Sequence, residues 1–60
     1  MKADSSKKTI LIVDDEPDAI EILEEIVLDH DFAVISASDG AEAKDLLNKE
    51  KIDLVITDFY

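Results

Sequence analysis

The sequence predicts an α/β fold: one βαβαβ unit whose three parallel strands run in the order 2-1-3, with one helix on each face. Three observations carry that expectation. Short runs of largely branched aliphatic residues recur at 9–13, 32–37 and 52–57. The segments between them repeat apolar residues at steps of three and four, the spacing of an amphipathic helix. Each crossover is long enough to return the chain for parallel pairing rather than for a hairpin.

Residues 1–8 (Met-Lys-Ala-Asp-Ser-Ser-Lys-Lys) are polar and charged. They are expected to form a disordered arm ahead of a domain spanning 9–60. Thr9-Ile10-Leu11-Ile12-Val13 is apolar without alternation, as expected of a strand covered on both faces. Asp14-Asp15-Glu16-Pro17-Asp18 ends it. Proline suits the first helical position and acids suit the positive end of the helix dipole, so the first helix starts at Pro17 with Asp15 or Glu16 near the cap. Ile20, Leu23, Ile26 and Val27 form its apolar stripe, which Ile22 and Leu28 widen, and it fades near His30-Asp31.

Residues 32–37 read as the second strand, with Phe32 in the core. Ser38-Asp39-Gly40 reads as a turn in which Gly40 serves the bend. Asp39 followed by Glu42 resembles a capping box at the start of a second helix that runs to about Lys49. Residues 52–57 form the third strand, with Asp58 at its end and Phe59-Tyr60 after it. Two helices on one face would leave the other face of three apolar strands bare. Placing the first strand in the middle puts one helix on each face and makes a switch point at the carboxyl ends of strands 1 and 3.

Composition narrows the function. With 6 Lys plus Arg against 16 Asp plus Glu, the chain carries a formal charge of −10. That disfavours nucleic acid and anionic membrane surfaces and suits cations or a basic partner. The apolar share of 47% is high for an acidic disordered chain. There is no cysteine, so neither disulfides nor a cysteine zinc site contribute. No unbroken apolar run exceeds the length of residues 10–13, far short of a membrane span. The first residues lack the apolar stretch of a signal peptide, which leads to an expected cytoplasmic location.

The expected strand order brings Asp14, Asp15 and Asp58 to one rim. Two unit charges about 4 Å apart at an effective dielectric of about 20 interact by about 4 kcal/mol. Three anions together therefore call for a cation, and Mg²⁺, a hard ion that takes oxygen ligands and retains waters, answers that need. A carboxylate beside it is placed to act as a nucleophile toward a phosphoryl group, forming an acyl phosphate. The plainer reading of residues 14–16 is a helix-start cluster that serves only the dipole. Asp58 taken alone is equally readable as a solvated strand end.

The motifs 10–17 (ILIVDDEP), 38–43 (SDGAEA) and 53–58 (DLVITD) occur in order and at fitting separations. Together they resemble the receiver domain of two-component response regulators, over about residues 9–60. The resemblance implies a flavodoxin-like fold, truncated here to its amino-terminal half. It implies that Asp58 is the phosphoacceptor for a sensor histidine kinase. It implies Mg²⁺ held directly by Asp15, mainly through water by Asp14, and further by Asp58 and the backbone carbonyl of Tyr60. Thr57 matches only the residue before the acceptor and is assigned no chemistry. The family also carries a Ser or Thr on strand 4 and a Lys on strand 5, which have no counterpart in these 60 residues. Phosphotransfer and switching are expected to be impaired in this segment alone.

In a complete receiver the third strand lies inside the sheet; here it is an edge. Leu54, Val55 and Ile56 are expected to expose backbone and side chains to another chain, most simply in a two-fold dimer or a larger oligomer. Phe59 and Tyr60 are expected either to cover the site or this edge, or equally to be disordered. The main alternative is an inactive, self-assembling half-fold. An enzyme is not expected: a metal-dependent phosphohydrolase commonly has a second acid two residues beyond its nucleophile, and position 60 is Tyr. One glycine does not build a phosphate-cradling loop. His30, between Asp29 and Asp31, reads as a surface residue near a helix end.

Overall fold

The computed structural model describes residues 7–57. Three strands and two helices alternate: β1 (Thr9–Val13), α1 (Pro17–Asp29), β2 (Ala33–Ala37), α2 (Gly40–Lys49) and β3 (Leu54–Thr57). The strands form one parallel sheet in the order β2-β1-β3, as expected. Thr9 lies opposite Ala33 and Val13 opposite Ala37. On the other side Ile10 lies opposite Leu54 and Val13 opposite Thr57. The second and third strands start later than the apolar runs do. Phe32 belongs to the end of the α1 turn, and Ile52 packs beneath the sheet from the loop before β3.

Successive side chains of β1 point to opposite faces, so one strand serves two cores. Ile10 and Ile12 pack with Val27, flanked by Ile20, Leu23, Phe32, Val34 and Ile56, under α1. Leu11 and Val13 pack with Ala37 and Ala43, flanked by Ile35, Leu46 and Ile52, under α2. Leu11 and Ile12 are fully buried. Each such side chain contributes about 1.5–3 kcal/mol by leaving water, which explains why β1 is the most apolar segment.

Backbone hydrogen bonds show which way each residue of β1 faces. The Ala33 amide donates to the Lys8 carbonyl (2.8 Å) and the Asp14 amide to the Ala37 carbonyl (3.1 Å), so even positions face β2. The Asp53 amide donates to the Thr9 carbonyl (2.9 Å), so odd positions face β3. With Ile10 opposite Leu54 and Ile12 opposite Ile56, the same alternation turns the peptide groups of Leu54 and Ile56 toward β1 and those of Val55 away from it.

Two sequence expectations are corrected. The stripe of α1 that enters the core is Ile20, Leu23 and Val27, whereas Ile22, Ile26 and Leu28 are each more than half exposed. Both helices lie over β1 and β2, and neither packs on β3. A helix about 10 Å wide covers only two strands spaced about 4.8 Å apart, so no described strand lies under the flank of α1. Gly40 does not supply the bend either. Its φ is not positive, and a Cβ there meets nothing within 4 Å. It is simply the first residue of α2.

The sharp turn of the chain is elsewhere, at Asp31, with φ 67°. The Asp31 amide donates to the Leu28 carbonyl (3.1 Å) and the Phe32 amide to the Val27 carbonyl (3.4 Å). Phe32 then packs into the cluster that contains Val27. This is a Schellman closure with its accompanying apolar contact. His30 is exposed, as expected, and its Nδ1 lies 2.9 Å from the Ile26 carbonyl.

Candidate functional site

The carboxyl ends of the strands form an acidic rim. Asp14 follows β1 directly and is buried, with 6% of its surface exposed. Its amide extends the ladder to β2, and its Oδ1 accepts the Glu16 amide (3.0 Å). A short acidic side chain bonding the backbone two residues on holds the chain in a turn. That turn hands the chain to α1, where Glu16 is the N-cap in an extended conformation without a side-chain cap bond, and Pro17 opens the helix. Asp15 is exposed on the rim beside it.

Asp14 and Asp15 line a common cleft of about 420 Å³, together with Pro17, Asp18, Ile20, Glu21, Glu24, Ser36 and Ser38. The cleft lies between α1 and the end of β2. Its β2 wall was not legible beforehand: Ser36 and Ser38 are small polar residues that carry no signal until the sheet order sets them beside Asp14. The structure thus brings together two of the expected site residues. Asp58 and the Tyr60 carbonyl lie outside the described residues, as does Phe59.

On the β3 side, the register sets Val13 beside Thr57. The residues that precede Asp14 and Asp58 in sequence are therefore neighbours across the sheet. Asp14 and Asp15 are hard oxygen donors on one rim, which suits Mg²⁺ in ligand type. Among the described residues no group of three or more acids, histidines or cysteines is arranged to hold a metal. Two carboxylates alone are a partial shell.

The second acidic motif has a structural role. The Glu42 amide donates to Asp39 Oδ1 (2.8 Å), capping α2. Glu42 Oε1 in return accepts the Ser38 amide (2.9 Å) and the Ser38 hydroxyl (3.0 Å). The reciprocal bond of the expected capping box therefore goes to Ser38, one residue earlier than in the usual motif. It fixes the loop that carries Ser38 into the cleft.

A family model described as the response regulator receiver domain matches residues 10–60. The transcriptional regulatory protein GlrR of Escherichia coli (strain K12) is 41% identical over 49 residues, covering 82% of this chain and 11% of that protein. The response regulator GtcR of Aneurinibacillus migulanus is 41% identical over 51 residues, covering 85% of this chain and 21% of that protein. The probable transcriptional regulator ycf27 of Guillardia theta is 43% identical over 53 residues, covering 88% and 21%. The chain therefore spans about a tenth to a fifth of the curated relatives it matches. No solved structure gave a significant match.

Proposed function

Since the chain belongs to the response regulator receiver family, we propose that it is the amino-terminal half of a receiver, spanning residues 9–60, with Asp58 as its phosphoacceptor. In this reading a sensor histidine kinase is the phosphoryl donor, Mg²⁺ is the cofactor, and the segment is a non-enzymatic signalling module of the cytoplasm. The observation that carries it is the parallel β1–β3 register, in which Val13 and Thr57 are paired immediately before two aspartates of the motif. No described helix is long and apolar enough to cross a membrane.

Each residue then has a defined task. Asp15, exposed at the rim, is the direct metal ligand. Asp14 has Oδ1 committed to the Glu16 amide, which suits a ligand acting through water. Asp58 and the Tyr60 carbonyl complete the set. A bound Mg²⁺ supplies charge neutralisation between carboxylate and phosphoryl oxygens. The Asp58 carboxylate oxygen attacks phosphorus, the donor group leaves, and an acyl phosphate results. Transfer is impaired when these 60 residues act alone, because the phosphate-reading groups that the family carries on later strands are not among them. When these 60 residues act alone, the edge of β3 favours self-association.

The test is incubation with Mg²⁺ and acetyl phosphate, followed by mass spectrometry at low temperature. A gain of one phosphoryl group, lost on brief treatment with hydroxylamine and absent from Asp58→Asn, is the expected result. Labelling that survives in Asp58→Asn overturns the assignment. If no label appears and Mg²⁺ does not bind, the inactive half-fold is the better account.

A further inference from the structure

We propose that the Asp39–Gly40 bond is a spontaneous modification site, where the main chain isomerises to isoaspartate, and that the capping bonds at the start of α2 set its rate.

Asp39–Gly40 is the one aspartyl–glycyl step in the sequence. Glycine matters for the nitrogen it brings. With no side chain to shield it, that nitrogen is open to approach, and a Cβ at Gly40 would meet nothing within 4 Å. Gly40 is the first residue of α2, so its N–H is among those with no carbonyl partner inside the helix. Asp39 itself is exposed to water.

The reaction needs no co-reactant except water. The Gly40 nitrogen gives up its proton and attacks Cγ of the protonated Asp39 carboxyl. A C–N bond forms, and the hydroxyl leaves with that proton as water. The product is a five-membered succinimide. Water then adds to one of its two carbonyls. Opening at the side-chain carbonyl restores aspartate. Opening at the main-chain carbonyl breaks the original peptide bond. The chain then runs through Cβ and Cγ, one methylene longer, and the former main-chain carbonyl becomes a free carboxylate.

The fold opposes ring closure in two ways. Closure aligns the Gly40 nitrogen with Cβ, which for an L residue requires a ψ of about −120°. The ψ of Asp39 is 173°, so the peptide must turn by about 70°. The carboxyl must also be released, because Oδ1 accepts the Glu42 amide (2.8 Å). Glu42 secures the other side: its Oε1 accepts the Ser38 amide (2.9 Å) and the Ser38 hydroxyl (3.0 Å). The residues on either side of the reacting bond are thus tied to one another. Reaction therefore passes through local fraying of the helix start. A cap of this kind lowers the frayed population by about fivefold. Isoaspartate at position 39 displaces the cap acceptor and lengthens the loop that carries Ser38 to the cleft.

The test ages the 60-residue chain for weeks at near-neutral pH, in buffer and in urea above its unfolding midpoint. Glu42→Ala and Gly40→Ala are aged beside it. Peptide mapping follows the isoaspartyl peptide, which has the mass of its parent but elutes apart from it, and electron-transfer fragmentation places the modified residue. In urea, isoaspartate should gather first at position 39. The folded wild type should form it about fivefold more slowly. Glu42→Ala in buffer should fall between the two, since it frees Ser38 but keeps the cap amide. Gly40→Ala should form little in either medium, because its methyl crowds the attacking nitrogen, while the open space around position 40 lets it fold. In the isoaspartyl fraction, hydrogen exchange should find the Glu42 amide unprotected.

Isoaspartate that gathers first at another aspartate in urea overturns the site. A folded wild type that reacts as fast as the unfolded chain, or a Glu42→Ala chain no faster than wild type, overturns control by the capping bonds.

Discussion

Thr9 and Asp53 hold each other twice. The Thr9 amide donates to Asp53 Oδ2 (2.8 Å), and the Asp53 amide donates to the Thr9 carbonyl (2.9 Å). This clasp ties the start of β1 to the residue before β3 and so sets the register that carries Val13 to Thr57 at the far end. Asp53→Ala should cost about 1 kcal/mol, below the roughly 1.5–3 kcal/mol of a charge-assisted bond because the pair is exposed. Asp53→Asn, which retains an acceptor oxygen, should recover most of it. Urea melts of the three chains check this; an alanine variant as stable as wild type refutes the clasp.

Asp14 accepts the Glu16 amide and is the proposed through-water ligand of Mg²⁺, and two substitutions separate the roles. Asp14→Asn keeps an oxygen for the Glu16 amide but removes the charge. It should weaken Mg²⁺ binding by about tenfold, or about 1.4 kcal/mol, with little change in Tm. Asp14→Ala should weaken binding similarly and also lower stability by about 1–2 kcal/mol, since the turn into α1 loses its acceptor. Isothermal titration and thermal melts read the two effects independently. Equal Mg²⁺ affinity in Asp14→Asn and wild type removes Asp14 from the ligand set.

Asp39 caps α2 through the Glu42 amide. Asp39→Ala should destabilise by about 1 kcal/mol, as for other lost N-caps. Glu42→Ala should free the Ser38 loop with a smaller loss. Hydrogen exchange at the Glu42 and Ser38 amides distinguishes the two: the first variant exposes the former, the second the latter.

Asp31 occupies the left-handed region that closes α1. Its ion pair with Lys7 is long (3.7 Å) and exposed, which makes it a weak contributor. Asp31→Gly removes the backbone cost and should raise stability by about 0.5–1 kcal/mol, net of the extra freedom of the unfolded chain. A lower midpoint in chemical denaturation counts against this assignment of the turn.

Much of the architecture was readable from residue order. An unbroken branched-aliphatic run such as 9–13 has no polar face to leave in water, so it must be sandwiched. The acids and proline that follow must start a helix. Those two facts, with the need to cover both faces, lead to the order 2-1-3. The pairing of Asp14 with Asp15 at a strand end was visible in the same way. The bareness of Leu54 and Val55 also followed, because two helices do not cover three strands. The inward stripe of α1 was less legible. Ile20, Ile22, Leu23, Ile26, Val27 and Leu28 are all apolar, and the helical period alone does not rank them.

The chain's own chemistry determined which segments are strands and helices, since burial and capping act over a few neighbouring residues. Folding in three dimensions decided the rest. It turned Val27 inward and Ile26 outward, gave the left-handed turn to Asp31 instead of Gly40, and brought Ser36 and Ser38 to the acidic cleft. The facing of α1 and the assembly of the cleft depend on contacts between residues far apart in the chain, where helix position over the sheet outweighs local preference, whereas the Asp31 turn is closed by bonds within residues 27–32.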